Sequence, residues 1–229
     1  MSWAEYHRFV KNPVSFQDQE FYYRRAISHL QTLLPGLLPQ GCPSTFVLGG
    51  FHSFKTATAF KNFCASIHPN SEDKHVFLDM NEAPLALLDP QTYPYRVQAK
   101  LEEDLSSVIP GIDLLALDFT LNFMDQRQIR RFSSHIGSSL NRNGLILASI
   151  EPPILFSFLT EKMRRLQNHV SFHLYSIKSL QRLVEPHLKV ALSADYRLYP
   201  MNFFSLVALV RRDSDLEEDL QPPFFYDRH

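Results

Sequence analysis

Cysteine and glycine are scarce in this chain, which has 2 cysteines and 7 glycines among 229 residues. So few cysteines exclude a small secreted fold held by disulfides, and so few glycines exclude a collagen-like repeat. Cys42 and Cys64 could pair, but two cysteines in a chain of this size are more commonly reduced. Cysteine usage therefore predicts a cytoplasmic protein.

An excess of charge is also missing. The sequence has 23 lysines and arginines against 24 aspartates and glutamates, a net charge of -1, and it is 45% hydrophobic. Disordered chains combine low hydrophobicity with a large net charge, so this chain is predicted to fold. Strong nucleic-acid binders usually carry a basic surplus, so no strong nucleic-acid binding is expected.

Long apolar runs are absent as well. A membrane helix needs about 20 apolar residues, and the longest candidate, 145–159, is interrupted by Glu151, Pro152 and Pro153. The N-terminus does not have the basic and then apolar regions of a signal peptide. We therefore expect a soluble protein without a membrane partner.

Hydrophobic periodicity predicts an α/β domain behind a helical lead-in. Residues 1–40 place Phe21, Ile27 and Leu30 at helical spacing, and they are predicted to form a helical lid. After them, short apolar runs alternate with amphipathic stretches, which predicts a mostly parallel sheet with helices on both faces. Strands are predicted at 45–48, 75–79, 95–98, 112–118 and 145–150, and helices at 55–67, 82–88 and 126–140.

The alternation ends after Pro153. Residues 154–170 are predicted to form a helical insertion, and a further helix is expected at 176–184. Two strands at 190–199 and 203–210 have a short connection, so they are predicted to pair in an antiparallel manner at the sheet edge. The main domain thus covers 41–212, and the acidic tail at 213–229 is expected to be partly mobile.

Functional residues cluster where the predicted strands end. The first strand ends in Gly49 and Gly50, the second in Asp79 and the fourth in Asp118. Open α/β sheets bind ligands at the carboxyl ends of their strands. Glycine lets the backbone approach a ligand, and a carboxylate closing the second strand can accept hydrogen bonds from a ribose. This pattern predicts a nucleoside cofactor.

The same segments resemble the class I S-adenosylmethionine-dependent methyltransferase superfamily. The resemblance rests on the Val47–Gly50 loop, Leu78–Asp79, the strand at 112–115 and the turn at 140–147. It implies a Rossmann-like fold with a seven-stranded, mostly parallel sheet and a reversed terminal strand. It also implies S-adenosyl-L-methionine as cofactor and methyl transfer. The lead-in helix and the insertion are apolar with scattered arginine and tyrosine, which favours a small-molecule substrate, and the sequence leaves a homodimer open.

The resemblance implies a set of site residues. Cofactor contacts are expected from Leu48, Gly49, Gly50, Phe51, Asp79, Met80, Glu102, Asp118 and Phe119. Substrate contacts are expected from His52, Asn122 and Arg164. Methyl transfer depends mainly on alignment, so no catalytic residue is predicted. His169 and His173 lack a third ligand, so no metal site is expected.

Two segments have a narrower resemblance to carboxy-S-adenosylmethionine synthases, which act in tRNA modification. They are Asp118–Phe123 and Asn202–Leu209. The resemblance implies an enzyme that modifies the cofactor instead of using its methyl group. The arginine that holds the extra carboxylate in those synthases corresponds to Met163, beside Arg164.

Departures from the methyltransferase pattern favour a third hypothesis, a binding or scaffold protein without catalysis. Val47 stands where the first motif has an acid, Phe51 and Ser53 replace later glycines, and Lys100 replaces the acid after the third strand. An aromatic side chain at position 51 fills space that the methionine portion of the cofactor would use.

Structural roles are alternatives for the same residues. Gly49 and Gly50 could form a plain tight turn, and Asp79 could cap the helix that follows it. His52 could be a surface loop residue, and Asp118 a hydrogen-bonded turn residue. The basic groups at 127–131 and 162–165 are most simply solvated helix faces.

Overall fold

The computed structural model describes residues 16–33, 37–38, 41–153, 172–199 and 202–214. Thirteen elements follow one another along these residues. They are α1 (Phe16–Leu33), β1 (Thr45–Gly49), α2 (Phe54–Ile67), β2 (Lys74–Asp79), α3 (Glu82–Ala86), β3 (Tyr95–Gln98), β4 (Ile112–Asp118), a 3-10 turn (Thr120–Phe123), α4 (Gln126–Ser139), β5 (Leu140–Ile150), α5 (Ile177–Val184), β6 (Leu188–Tyr199) and β7 (Asn202–Arg211).

The strands form one seven-stranded sheet in the order β3-β2-β1-β4-β5-β7-β6. All neighbours are parallel except that β7 runs antiparallel to both β5 and β6. This is the strand order of the class I methyltransferase fold, so the predicted sheet with its reversed terminal strand is confirmed. Because the chain moves outward from β1 to β3 and then returns to β4, the topological switch point lies between β1 and β4.

Two hydrophobic cores cover the two faces of the sheet. α1 and α2 pack on one face, where Leu48 and Phe77 point. α4 and α5 pack on the other face, where Val47 and Leu115 point. Covering both faces explains why β4 is apolar at nearly every position. The alternation along β1 also places Leu48 and Val47 in different cores.

The lead-in helix α1 begins at Phe16, and the predicted helical spacing is correct for most of its apolar residues. Tyr23, Ile27 and Leu30 are buried against α2 and the sheet. Phe21, which the spacing placed on the apolar side, is instead 63% exposed. The buried stripe runs through Phe16, Tyr23, Ile27 and Leu30, and Phe21 lies outside it.

Strand β5 begins earlier than predicted. The expected turn at 140–144 is part of the strand, because Leu140 pairs with Ile112 before a register shift between Ile112 and Leu114. At Gly144 an added Cβ would lie 2.5 Å from the Ile112 carbonyl oxygen. Glycine at position 144 is therefore needed both for the close approach of the neighbouring strand and for the bend that brings the Asn141 backbone near it.

Other elements are close to their predicted bounds. α2 begins at Phe54, and its cap is Ser53, whose side chain accepts a hydrogen bond from the Thr56 amide. α3 is shorter than predicted and ends at Ala86.

The insertion at 154–170 and most of the tail lie outside the described residues. Cys42 and Cys64 are both free thiols. No helix in the described part of the chain is long and apolar enough to cross a membrane.

Candidate functional site

The glycine pair closes β1 at the switch point. Gly50 has a left-handed backbone with φ of 69°, which glycine adopts without strain, and its amide donates to the Leu78 carbonyl at 2.8 Å. At Gly49 an added Cβ would lie 2.8 Å from Leu117 Cδ2. Gly50 is therefore required by its backbone conformation, whereas a Cβ at Gly49 would meet the ends of leucine side chains.

Thr120 reaches across the switch point from the end of β4. Its hydroxyl donates to the Gly49 carbonyl at 2.9 Å and lies 3.3 Å from the Gly50 carbonyl. An added Cβ at Gly50 would lie 2.6 Å from Thr120 Oγ1. The face of Gly50 that sequence reasoning assigned to a ligand is thus in contact with Thr120.

Two of the predicted cofactor residues lie in the core. Leu48 is completely buried, so any ligand contact would come from its backbone. The Phe51 ring is buried against Phe77, with centroids 6.0 Å apart. The backbone amide of Phe51 is a hydrogen-bond donor to Asp79. The side chain at position 51 therefore fills the inner side of the loop, and its amide joins the ends of β1 and β2.

Asp79 ends β2 with 7% of its surface exposed. Its Oδ1 accepts hydrogen bonds from the Asn81 amide nitrogen at 2.8 Å and from Asn81 Nδ2 at 3.2 Å. Burial raises the pKa of Asp79, and the hydrogen bonds from Asn81, Phe51 and Met80 oppose that rise. Asn81 is the N-cap position of α3 but makes no side-chain cap bond. Asp79 therefore holds the loop between β2 and α3 in place. Met80, beside it in that loop, is 62% exposed.

Glu102 faces α4 in this structure. Its Oε1 accepts a hydrogen bond from Gln128 Nε2 at 3.1 Å, and its carbonyl oxygen lies 2.9 Å from His135 Nδ1. These contacts fix the segment after β3 against the helix. The expected cofactor contact of Glu102 stays a prediction.

Asp118 ends β4 beneath the N-terminal end of helix α1. Its Oδ1 accepts hydrogen bonds from Gln19 Nε2 at 3.0 Å and from Ser149 Oγ at 2.9 Å. The Phe16 amide of α1 is a further donor to this carboxyl group. Asp118 of β4 thus links helix α1 to the neighbouring strand β5.

The pKa values of Asp118 and of Tyr23 near it are shifted from their usual values. Burial raises the pKa of Asp118 to about 7, against the opposing effect of its donors Ser149, Phe16 and Gln19. Burial and the Asp118 charge also raise the pKa of Tyr23 well above its usual value. Within the described part of the chain, Gln19 Oε1 is buried without a hydrogen-bond partner. Perturbed acids and unsatisfied polar atoms of this kind mark candidate functional sites.

Phe119 follows Asp118 with a left-handed backbone, φ 53°. This conformation is strained for a residue with a side chain, and such strain is concentrated at functional sites. Its ring is half-buried and lies 6.4 Å from Phe204. The strain therefore lies directly beside the half-buried Asp118.

Asn122 is completely buried and bonded to backbone groups on two other segments. Its Nδ2 donates to the carbonyls of His173 at 2.6 Å and Glu151 at 3.3 Å, and its Oδ1 accepts from the Glu151 amide at 2.9 Å. In this structure it fastens the 3-10 turn to the segments beside it, and substrate contact by Asn122 stays a prediction.

Of the other two predicted substrate residues, the structure describes His52. His52 lies half-buried in the loop between β1 and α2. Arg164 lies outside the described residues, so the carboxylate site of the synthase hypothesis stays a prediction as well. No group of three or more metal-ligating side chains occurs in the described ranges.

Sequence reasoning missed three residues that contact the predicted site residues at the strand ends: Gln19, Thr120 and Ser149. Gln19 is 99 residues from its partner Asp118, and no local pattern connects them. The only signal in the sequence is that a polar residue, Gln19, stands on the side of α1 that packs against the core, where the structure shows it completely buried.

Two features of the strand ends bear on the predicted S-adenosylmethionine cofactor. Asp79 is the carboxylate that is predicted to hold the ribose, and the exposed Met80 offers an apolar surface beside it. At the glycine turn, the Thr120 side chain lies on Gly50, so the other half of the ligand would meet Thr120 instead of bare backbone.

Comparison with known proteins shows the fold. No protein-family model and no curated protein sequence matches the chain. Among solved structures, magnesium protoporphyrin IX methyltransferase from Synechocystis PCC 6803, with bound SAH, has a TM-score of 0.57 at 12% identity. The match covers 91% of this chain and 94% of that one.

Two further solved structures are similar. An S-adenosylmethionine-dependent methyltransferase from Clostridium acetobutylicum ATCC 824 has a TM-score of 0.58 at 8% identity, covering 90% of this chain and 96% of that one. LepI in complex with SAM has a TM-score of 0.59 at 11% identity, covering 80% of this chain and 46% of LepI. At these identities the likeness shows a class I methyltransferase fold and does not identify an acceptor.

Proposed function

We propose that this protein is an S-adenosylmethionine-dependent methyltransferase that acts on a small organic acceptor. One observation supports this function most strongly. The carboxyl groups of Asp79 and Asp118 stand at the ends of β2 and β4, on either side of the left-handed turn at Gly50. That turn borders the topological switch point, where open α/β sheets bind ligands.

Asp79 is the residue proposed to hold the cofactor. Its carboxylate accepts hydrogen bonds from the ribose hydroxyls, and Met80 packs against the adenine. Because Asp79 is 7% exposed, water competes little for those bonds. The bonds from Asn81 hold the carboxylate in one orientation before the ligand arrives.

Asp118 and the lid helix are proposed to form the acceptor side. Bound S-adenosylmethionine supplies a methyl group on a positively charged sulfur. The chain's own part is to align the acceptor and exclude water. α1 covers the end of β4 through Gln19, and the half-buried Asp118 accepts a hydrogen bond from a hydroxyl or amine of the acceptor.

Calorimetric titration with S-adenosylmethionine and S-adenosylhomocysteine tests the cofactor assignment. We expect binding by the wild type and an affinity about tenfold to a hundredfold lower for Asp79→Asn, through the lost charged hydrogen bond. The matched control is Asp113→Asn. Asp113 also accepts bonds from a backbone amide, that of Thr45, and from an asparagine, Asn141, but at the opposite end of the sheet.

Equal weakening by both substitutions would mean that Asp79 acts through folding alone.

To find the acceptor class, the protein is incubated with S-adenosylmethionine carrying a tritiated methyl group and with fractionated cell extract. The proposal predicts label in the small-molecule fraction. Label confined to protein or RNA would contradict a small acceptor.

A binding protein without catalysis is the second candidate, and a specific observation favours it. Thr120 and Phe51 fill the glycine turn with the chain's own side chains. Such a protein would bind a partner other than the cofactor. This candidate predicts no heat of binding in calorimetry with S-adenosylmethionine or S-adenosylhomocysteine at millimolar concentration, in the wild type and in Thr120→Ala alike. Binding in either protein would reject it as stated.

A further inference from the structure

The glycine turn stands between the two carboxylates of the proposed site. Gly49 pairs with Leu78 of β2 and with Leu117 of β4, so these three residues lie level across the sheet. The residues that follow them therefore stand side by side at the same edge; they are Asp79, Gly50 and Asp118. Two strand spacings, roughly 10 Å, separate the two carboxylates, and Gly50 lies in between.

The proposed function requires the cofactor to pass over this turn. Its ribose is proposed to bind Asp79 and the acceptor to be aligned at Asp118, so the sulfur and its methyl group lie between these residues. Because β1 is the strand between β2 and β4, that stretch of the site is the end of β1 at Gly50. Adenosine, which has no sulfur and no amino-acid chain, ends at the ribose and does not need this stretch.

The Thr120 side chain occupies the end of β1. Its hydroxyl is bonded to the Gly49 carbonyl at 2.9 Å and lies 3.3 Å from the Gly50 carbonyl. A Cβ added at Gly50 would lie 2.6 Å from Thr120 Oγ1 and 2.8 Å from its Cγ2. Both branches of the threonine therefore pack on the glycine, at the place where the cofactor would cross.

The segments on both sides of Thr120 are fastened to the end of β5. Before it, the Phe119 amide donates to the Ser149 carbonyl at 3.1 Å and to the Ser149 Oγ at 3.0 Å. After it, Asn122 Oδ1 accepts a hydrogen bond from the Glu151 amide at 2.9 Å. Because the flanking backbone is held, the simplest motion that clears the glycine turn is rotation of the Thr120 side chain about its Cα–Cβ bond.

We propose that Thr120 is a gate in the cofactor site: closed, as in this structure, it lies on the glycine turn, and it turns aside to admit the sulfur-bearing part of the cofactor. This inference rests on the proposed function and adds a control step to it. A ligand that requires the open gate loses affinity in proportion to the fraction of molecules in which the gate is closed. One net hydrogen bond corresponds to roughly a tenfold preference for the closed position.

Calorimetric titration of the full chain with S-adenosylhomocysteine and with adenosine tests the gate. Thr120→Ala removes both groups that lie on Gly50. We expect this variant to bind S-adenosylhomocysteine about tenfold more tightly than the wild type, and adenosine with an affinity changed by less than about twofold. Thr58→Ala is the matched control and should change neither affinity. Thr58 also donates to a backbone carbonyl, that of Phe54 at 3.0 Å, but on α2.

Amide chemical-shift mapping of the wild type gives a second test that needs no substitution. Both ligands should shift the signals of Asp79 and Met80, because both carry the ribose and the adenine. Only S-adenosylhomocysteine should also shift the signal of Thr120, because only this ligand displaces the threonine side chain.

Several results would overturn the gate and leave the proposed function in place. They are unchanged or weaker binding of S-adenosylhomocysteine by Thr120→Ala, an equal gain for adenosine, an equal gain in Thr58→Ala, or binding that leaves the Thr120 signal unmoved. If neither ligand binds the wild type or Thr120→Ala, the proposed function itself fails, and the gate fails with it.

Discussion

The carboxyl group of Asp118 is held by donors from α1 and β5, yet its surroundings disfavour its charge. Burial raises its pKa from 3.8 to about 7, although Ser149, Phe16 and Gln19 donate to it. Asp118→Asn removes the charge and keeps the shape. The asparagine Oδ1 can still accept from Gln19 and Ser149, so the change isolates the charge.

The size of the effect follows from the pKa. A rise from 3.8 to about 7 corresponds to roughly 4 kcal/mol between the neutral and charged forms. Asp118 is half-buried, so water reaches one edge of it and screens part of this cost. We therefore expect Asp118→Asn to raise the free energy of unfolding by about 2–4 kcal/mol at pH 8.

The effect has a definite dependence on pH. Between the unfolded value of 3.8 and the folded value of about 7, the folded protein retains a proton that the unfolded chain has released. The wild type therefore loses stability as pH rises through this window, and the full cost is present above pH 7. The gain from Asp118→Asn should fall to less than about half at pH 5.

Urea denaturation at pH 5 and pH 8 measures this difference directly. The corresponding rise in melting temperature at pH 8 is roughly 5–15 °C. A loss of stability of similar size at both pH values would refute the reasoning. It would mean that the hydrogen bonds to the charged carboxylate outweigh the cost of burying it.

Three further substitutions test the packing around the site. Gly50→Ala should destabilise the protein by about 2–3 kcal/mol in urea denaturation, because alanine is strained at φ 69° and its Cβ meets Thr120. Thr120→Ala should recover part of that loss, and no recovery would mean that the contact is unimportant. Asn122→Ala should cost about 2–4 kcal/mol, because it removes the side-chain partner of the Glu151 amide and of the His173 carbonyl, and thermal denaturation would show it. A cost below about 0.5 kcal/mol would contradict this role for Asn122.

Much of the fold could be predicted because its signals are local. Helices cover both faces of β4, so nearly every residue of the run at 112–118 is apolar. This apolar run is visible in the sequence and predicts a strand that is buried on both faces. The start of β5 could not be predicted in this way. Its first residues pair with Ile112 through a register shift, and only Gly144 reflects the close approach.

The site was less predictable because its contacts join distant segments. Glycine after a strand predicted the turn at Gly49 and Gly50, and the structure shows the turn with Thr120 upon it. Only the assembled sheet brings Thr120 to that place. Similarly, the acid at the end of β4 was visible in the sequence, whereas its partner Gln19 lies 99 residues away on the lid helix.

The most direct test of the central claim is amide chemical-shift mapping of S-adenosylhomocysteine on the full chain. The proposed function predicts saturable shifts at Gly50, Asp79 and Met80, reduced in Asp79→Asn and retained in Asp113→Asn. Shifts elsewhere only, or none at millimolar ligand, would contradict adenosyl binding at the carboxyl edge of this sheet.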